Sequence, residues 1–421
     1  MKKIGFVVQR YGLEVNGGAE FHCRILAENL KDIFDVEVLT TCAKSYKTWA
    51  NEYSPGEKVI NGILVRRFPV AKEREEIKSY KLGRILRKRS LPQKLLRFFG
   101  ILEVFERLFK PKTDLKFVFD ELSKAQGPYT PGLIDHLKVN HEQYDVLIFF
   151  TYLYFPTLFG LRVAPHKSIL IPTAHDEPDI YMSGFKEVFT SPVAIMFNTP
   201  AERTLVHKLF DNASVYNDVV GVGIDTPKID HGAVQLQEFD FPYFVYIGRV
   251  DHAKGCAMMI DYYLKYTAET KKECKLVLVG QQFMEIPASE HVISLGYVSD
   301  SRKFTLLRQA QALIMPSYYE SLSLVTLESM NEGTPVIVNQ HCDVLRKHVE
   351  ESHSGFLFKD FLTFKTALNA VLNSDKEVRA MKANGKVYVK HNYDWEVVKN
   401  KVSRAVDFVI KQNDNQSELT S

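Results

Sequence analysis

The amino-acid sequence predicts an α/β protein with two doubly wound domains that face each other across a cleft. Three observations predict this fold. Short apolar runs separated by helical stretches recur along the chain in two series, and a stretch at 219–227 with two glycines and a proline lies between the series. The chain also has 421 residues, which is too long for one ordinary domain.

The first series begins with a strand at 3–8, a glycine-containing loop at 9–18 and a helix over about 19–30, as in a βαβ unit with a parallel sheet. We assign residues 1–222 to a first Rossmann-like domain. Further elements are predicted as strands at 36–40, 63–70, 145–150, 168–172 and 193–198, and as a helix at 200–210.

The second series begins near Phe241, and we assign residues 236–395 to a second Rossmann-like domain. A C-terminal helix at 396–412 is expected to pack back on the first domain, and residues 413–421 are expected to fray. The buried strands of this series are predicted at 243–247, 275–279, 292–294, 312–315 and 336–338.

A basic helical insertion at about 78–112 interrupts the first domain. It holds eleven basic and two acidic residues, so it carries +9, whereas the whole chain carries +3. From Pro92 onward, apolar residues at three- and four-residue spacing predict an amphipathic helix. One interpretation is contact with an anionic membrane surface, and the other is a helix packed on its own domain with solvated lysines. A local patch of this kind does not favour nucleic-acid binding.

The cysteines and the hydropathy indicate the compartment. Five widely spaced cysteines without a Cys-x-x-Cys pair predict neither a disulfide framework nor a zinc site, which favours a reducing cytoplasm. No run approaches the roughly 18 apolar residues that span a bilayer, and the first apolar run is too short for a signal peptide.

Two glutamates, Glu320 and Glu328, are the first candidates for a site. Glu320 precedes a predicted helix that follows a buried strand, and Glu328 lies inside it. Ser323 is a plausible N-cap, which leaves the Leu324 amide free in a first turn that attracts phosphate. An isolated pair of acids is more often solvated surface, so the pair alone does not define a site.

Two cations form the second candidate group. Arg249 and Lys254 follow the predicted strand 243–247 and Gly248 on one loop, where they would grip a diphosphate. Taken alone, this loop is better explained as a surface loop with two solvated bases.

Together these motifs resemble the retaining glycosyltransferases of family 4, which have the two-domain GT-B fold. The resemblance covers nearly the whole chain and depends on the order and spacing of its motifs. They are Asn16-Gly17-Gly18-Ala19-Glu20, Gly223-Ile224-Asp225, Tyr246-Ile247-Gly248-Arg249 with Lys254-Gly255, Leu278-Val279-Gly280, Leu295-Gly296-Tyr297-Val298-Ser299, Met315-Pro316-Ser317-Tyr318-Tyr319-Glu320 with Glu328, Gly333-Thr334-Pro335-Val336, and Ser354-Gly355-Phe356-Leu357-Phe358.

The resemblance implies roles for the second domain. Arg249 and Lys254 would bind the donor diphosphate and stabilise the departing nucleotide, together with Gly248 and the helix start at Ser323 and Leu324. Glu328 would hydrogen-bond the donor ribose, Glu320 would lie near the transferred sugar, and the backbone around Val298 would contact the nucleobase.

In the first domain, the resemblance implies that Gly17 and Gly18 let their loop approach the donor phosphate and the acceptor. Glycine permits close approach and unusual dihedral angles. His175 resembles the family's sugar-contacting active-site histidine. The chain departs from the family at Ser321 and Ser323, which stand where the family usually has glycines, and this departure leaves the donor's identity and fine geometry open.

The expected chemistry follows from charge. Breaking the bond between sugar and nucleotide diphosphate places negative charge on the leaving group. The chain has no Asp-x-Asp motif, so we expect cations and a helix N-terminus in place of an essential metal or cofactor. The resemblance implies that a donor phosphate oxygen helps to deprotonate the acceptor, so no protein nucleophile is required.

The sequence thus predicts a cytoplasmic, retaining, metal-independent glycosyltransferase, peripheral on the membrane if the basic insertion binds lipid. It would transfer sugar from a nucleotide sugar to a hydroxyl acceptor, carbohydrate or lipid-linked, in assembly of a bacterial surface polysaccharide, lipopolysaccharide or glycolipid. The alternatives are a non-catalytic nucleotide-sugar-binding subunit and another GT-B enzyme such as a nucleotide-sugar epimerase.

Overall fold

A computed structural model describes residues 1–15, 17–87, 114–225 and 237–420. The chain divides into two compact units, Met1–Val220 with Lys399–Ser421, and Gly221–Val398. The amphipathic helix predicted from Pro92, most of the basic insertion and part of the interdomain stretch lie outside the described residues. No helix among the described residues is long and apolar enough to cross a lipid bilayer.

The first unit is built on an eight-stranded sheet in which β3 alone runs antiparallel to its neighbour. The strand order is β3-β4-β2-β1-β5-β6-β7-β8. The strands are β1 Lys3–Val7, β2 Asp35–Thr41, β3 Gly56–Ile60, β4 Ile63–Phe68, β5 Val146–Phe150, β6 Ser168–Ile171, β7 Ala194–Phe197 and β8 Tyr216–Val219.

The helices of this unit follow the strands, as expected for parallel connections. They are α1 Gly18–Leu30, α2 Glu76–Arg87, α3 Leu115–Gln126, α4 Pro131–Asn140, α5 Phe155–Gly160, α6 Lys186–Thr190 and α7 Pro200–Phe210, with single 3₁₀ turns at His141–Gln143, Pro165–Lys167 and Ser183–Phe185. Strands β1 and β5 are almost wholly buried, which matches their continuous apolar sequence.

The second unit is built on a six-stranded parallel sheet with the order β11-β10-β9-β12-β13-β14. Its strands are β9 Tyr243–Ile247, β10 Lys275–Val279, β11 Val292–Gly296, β12 Leu313–Met315, β13 Val336–Asn339 and β14 Gly355–Phe358. Its helices are α8 Cys256–Thr270, α9 Asp300–Gln309, α10 Leu324–Glu332, α11 Asp343–Ser352, α12 Phe361–Asn373 and α13 Asp375–Tyr393.

The last helix, α14, runs from Trp395 to Thr420, so it continues through most of the segment that was expected to fray from 413. Its residues from Lys399 onward belong to the first unit. There, the Lys401 ammonium donates to the Val219 carbonyl at 2.7 Å, and the Phe408 ring stacks on Tyr216. This helix therefore covers the β8 edge of the first sheet.

Candidate functional site

The second sheet has a topological switch point between β9 and β12, because the chain order reverses there. In open α/β sheets, ligands bind beyond the carboxyl ends of the strands at such a point. The two loops that flank it are residues 248–255 after β9 and residues 316–323 after β12. They carry Arg249, Lys254 and Glu320, so the structure places these three predicted residues at one location.

An ion pair between Lys254 and Glu320 joins the two loops. The Lys254 ammonium lies 2.7 Å from the Glu320 carboxylate, and the Glu320 side chain is only 13% exposed. The Lys254 amide donates to the Asp251 carboxylate at 2.7 Å. A side chain at Gly255, whose φ is +76°, would stand 2.5 Å from the Pro316 carbonyl oxygen. The lysine loop therefore reaches its position only because the next residue is glycine.

Arg249 lies at the open side of the same loop. Its side chain is 45% exposed, and its Nε lies 3.7 Å from the Asp251 carboxylate. The Tyr246 hydroxyl donates to the Arg249 carbonyl at 2.7 Å, and the Gly248 amide donates to the Val279 carbonyl at 2.9 Å. These bonds fix the backbone of the loop that carries Arg249.

Glu328 lies on α10 and is almost completely buried. Its carboxylate accepts a hydrogen bond from the Lys303 ammonium at 2.9 Å. Burial raises the pKa of Glu328 above its usual range, and Asp300 and Glu332 add to the rise, whereas Lys303 opposes it. Glu328 and Glu320 are therefore held by different cations, which suits contacts with different parts of one ligand.

Ser323 precedes α10 as predicted, but the predicted side-chain cap is absent. Its hydroxyl lies 2.8 Å from the Thr326 hydroxyl, and its backbone φ is +61°. In this left-handed conformation the hydroxyl does not bond a first-turn amide, so Ser323 occupies the predicted N-cap position but makes no side-chain cap. Leu324 is the first residue of α10. Val298 lies between β11 and α9, where the Ser299 hydroxyl accepts from the Arg302 amide at 3.3 Å.

The first unit has its own switch point, between β1 and β5. Gln9 and Thr151 follow these two strands, and the Thr151 hydroxyl donates to the Gln9 amide oxygen at 3.2 Å. The Gln9 amide nitrogen in turn donates to Glu20 at 2.9 Å. The carboxyl edge of this sheet is therefore polar and buried.

The two glycines of the first loop have different surroundings. Gly17 is extended, with φ 176°, so no unusual dihedral requires glycine there. A Cβ atom at Gly17 would instead stand 2.1 Å from a Glu20 carboxylate oxygen, whereas a Cβ atom at Gly18 meets nothing within 4 Å. Glu20 is held by Arg10, whose guanidinium lies 2.6 Å away. Gly17 therefore leaves room for a buried ion pair.

His175 lies at the carboxyl edge of the first sheet, after β6. Its Nε2 lies 3.3 Å from the Glu177 carboxylate, which accepts from the Tyr152 hydroxyl at 2.5 Å. The neighbouring Ala174 amide donates to Glu202, which also accepts from the Asn198 amide at 2.6 Å. Burial raises the pKa of Glu202 to about 8. Glu202 thus ties the loop after β6 to the loop after β7.

Sequence reasoning missed the residues that support the predicted ones. Lys303 contacts Glu328 from a separate segment, and no local pattern indicates that contact. Asp251 accepts from the Lys254 amide three residues along the same loop. Glu202 did leave a signal: Thr199-Pro-Ala-Glu202 has the spacing of a capping box. The Thr199 hydroxyl accepts from the Glu202 amide at 3.1 Å, but the Glu202 carboxylate bonds the adjacent loop.

The comparisons with known proteins match the second unit most directly. Residues 233–388 match the family model described as glycosyl transferases group 1. This segment contains the Arg249, Lys254, Glu320 and Glu328 positions. The match supports the group 1 glycosyltransferase resemblance over the part of the chain where the two loops meet.

Among curated proteins, the chain is similar to the O-antigen chain mannosyltransferase B of Escherichia coli, with 28% identity over 161 residues. The match covers 35% of this chain and 40% of that protein. The matched segments span about two fifths of the length of the first curated relatives.

Solved structures show the fold over the whole chain. WaaG, a glycosyltransferase involved in lipopolysaccharide biosynthesis, has a TM-score of 0.61 at 13% identity, covering 96% of this chain and 99% of that one. Anabaena Alr3699/HepE in complex with UDP and glucose has a TM-score of 0.65 at 14% identity, covering 97% and 100%. The fold is therefore the GT-B glycosyltransferase fold, with α/β units built on Rossmann-like sheets.

Proposed function

We propose that this chain is a retaining, metal-independent glycosyltransferase that moves a sugar from a nucleotide-diphosphate sugar to a hydroxyl acceptor. One observation carries the proposal: Lys254 and Glu320 meet at 2.7 Å across the switch point of the second sheet. The cation suits a diphosphate, and the carboxylate suits sugar hydroxyls. The complex of HepE with UDP and glucose supports a nucleotide-sugar donor.

The site's charges support departure of the nucleotide without a metal. Lys254, Arg249 and the N-terminal end of α10 surround the place where negative charge would develop. Lys254 would leave Glu320 for the phosphate as the donor binds, because the phosphate carries more charge. We expect full activity in excess chelator, and loss of activity that added Mg²⁺ restores would contradict metal independence.

The acceptor is proposed to belong to a bacterial surface polysaccharide, lipopolysaccharide or glycolipid, made in the cytoplasm or on the inner face of its membrane. One relative is named O-antigen chain mannosyltransferase B, which supports an acceptor of this class. All five cysteines are buried and unbridged, which suits a reducing compartment. His175 and the polar edge around it are the proposed acceptor contacts in the first unit.

The first experiment screens nucleotide sugars by thermal shift and then measures nucleotide release with each hit. We expect Lys254→Ala and Glu320→Ala to lower the transfer rate by at least about a hundredfold with an unchanged fold. Lys365→Ala is the matched control, because Lys365 pairs with Glu269 at the same 2.7 Å on the outer surface. Full transfer activity in either site variant would overturn the assignment.

The same assay separates the alternatives. A non-catalytic subunit would bind donor and release no nucleotide, and an epimerase would convert the donor without any acceptor. The anomeric configuration of the product, read by NMR coupling constants, tests retention. An inverted linkage would refute the retaining mechanism.

We also propose that the exposed face of α2 contacts anionic membrane. Ile77 is 73% exposed and Tyr80 is 62% exposed, and the Arg84 guanidinium lies 5.8 Å from the Tyr80 ring. Apolar and basic side chains therefore share one solvent-facing surface next to the basic segment.

Flotation with anionic liposomes at low salt tests the membrane contact. We expect binding to fall on Ile77→Glu and to persist in Val139→Glu, since Val139 is equally exposed, at 79%, on α4. No flotation of the unchanged protein would remove the membrane proposal and leave the transferase proposal intact.

A further inference from the structure

The turn between Glu320 and α10 holds a serine in a conformation that suits glycine. Ser323 has φ +61°, where a side chain crowds the backbone. The resembling family usually has glycine at this position. This chain therefore needs an additional contact that keeps the turn in its left-handed conformation.

His348 supplies a contact of that kind from α11. Its Nε2 lies 2.8 Å from the carbonyl oxygen of Leu322, the residue just before Ser323. The two residues are 26 positions apart, and His348 is only 2% exposed. Because a carbonyl oxygen accepts only, Nε2 must carry the hydrogen.

The surroundings of His348 select this tautomer. Its Nδ1 lies 3.0 Å from the Tyr388 hydroxyl, whose single hydrogen is shared between this nitrogen and the Glu351 carboxylate at 3.2 Å. The rings of Tyr388 and Tyr393 stand edge-on to the imidazole at 5.9 and 6.0 Å. Burial lowers the pKa of His348 to about 4, so the ring is neutral at pH 7, with one nitrogen donating and the other accepting.

We infer that His348 is a positioning residue that holds the Leu322–Ser323 turn and thereby orients Glu320 and the start of α10 toward the donor. The inference rests on the proposed function for its ligand, because it concerns the same site. His348 would act through its hydrogen bond to the backbone of the turn and would not contact the substrate.

The test combines replacement of His348 with relief of the strain at Ser323. His348→Leu removes the donor while filling similar space, and we expect it to weaken binding of the donor nucleotide about tenfold. His348→Gln retains an N–H donor and should stay within about threefold of the unchanged protein. In a Ser323→Gly background, His348→Leu should weaken binding of the donor nucleotide by less than about threefold. Glycine adopts the left-handed conformation of the turn without an additional contact.

Leu368→Ala is the control for general destabilisation, because Leu368 is fully buried on α12 in the same unit. It should lower the melting temperature, and Ser323→Gly should not reduce its effect. The inference is wrong if His348→Leu weakens donor binding equally with serine and with glycine at 323.

A ligand-free measurement separates this inference from the proposed function. The amides of Thr326 and Leu327 donate to the Ser323 carbonyl at 3.0 and 3.3 Å. The hydrogen-exchange rates of these amides should rise about tenfold in His348→Leu. In the double variant with Ser323→Gly, the rates should return to those of the unchanged protein. If no nucleotide sugar binds the unchanged protein, the proposed function fails, and exchange rates unaffected by His348→Leu would independently overturn the positioning role.

Discussion

Replacing Lys303 with methionine should destabilise the protein in a pH-dependent way, because it leaves Glu328 buried without its cation. At 2.9 Å and an effective dielectric constant of about 20, the lost attraction is about 6 kcal/mol. Protonating Glu328 costs less, because the ordinary pKa of 4.5 sets that cost at about 3.5 kcal/mol at pH 7. The carboxyl should therefore take up a proton in the variant.

The cost of proton uptake sets an upper limit on the loss of unfolding free energy, and the limit depends on pH. It is about 3.5 kcal/mol at pH 7 and about 0.7 kcal/mol at pH 5, because each pH unit contributes about 1.4 kcal/mol. Part of this cost is already present in the unchanged protein, since burial, Asp300 and Glu332 raise the pKa of Glu328. We expect the destabilisation to shrink several-fold between pH 7 and pH 5.

The assay is urea denaturation of the unchanged protein and Lys303→Met at pH 5, 6, 7 and 8. In a Glu328→Gln background there is no carboxyl to titrate, so Lys303→Met should cost less than about 1 kcal/mol at every pH. A destabilisation that stays equal at pH 5 and pH 7, or that grows as the pH falls, would refute the reasoning.

Two further predictions concern stability. Glu202 has a folded pKa of about 8, above its ordinary 4.5, so its contribution is complete below pH 4.5 and is lost as the pH rises through 8. Denaturation at pH 5 to 8 should show a fall of up to about 1.4 kcal/mol per pH unit that disappears in Glu202→Gln. A slope that this substitution leaves unchanged would contradict the assignment to Glu202. Gly255→Ala should cost at least about 2 kcal/mol more than Gly296→Ala, because both residues have positive φ but only Gly255 faces a carbonyl oxygen. Equal melting temperatures for the two variants would contradict the steric account.

The buried strands were predictable, whereas three of the four edge strands were not. β9 and β10 have the predicted bounds because every side chain but one in each is buried, which yields a continuous apolar run. The three strands that the sequence analysis missed are β3, β8 and β14, and each lies at the edge of its sheet. β3 is largely solvated and β8 is only partly buried, so their sequences lack the apolar run that identifies a central strand. β14 does contain such a run, Phe356-Leu357-Phe358, but this strand is only four residues long.

The candidate site likewise has residues whose position the sequence predicts and contacts that it does not predict. Lys254 and Glu320 follow buried strands, so their position at the carboxyl edge could be predicted from the strand pattern. The contacts of Lys303 with Glu328 and of His348 with Leu322 join separate segments through tertiary packing. Spacing along the chain carries no signal for such contacts.

Backbone strain gives an independent indication of where the ligand sites lie. Some non-glycine residues with positive φ have a local reason: among the described residues, Asp211, Lys271 and His353 end helices, and Asn61 lies in the tight turn between β3 and β4. Of the four others, Trp49 lies in the long loop between β2 and β3, and Thr151, Thr173 and Ser323 lie in loops that follow β5, β6 and β12 at the carboxyl ends of these strands.

The conformations of Thr151, Thr173 and Ser323 each cost about 1 to 2 kcal/mol relative to glycine, and threonine is β-branched, which makes the conformation a true outlier. Neither a helix end nor a hairpin requires them. Strain of this kind persists when the surrounding structure fixes it, and it clusters at functional sites. The same edges carry Glu320, Lys254 and His175, so the strained loops and the charged groups are two separate observations that support the proposed ligand sites at these edges.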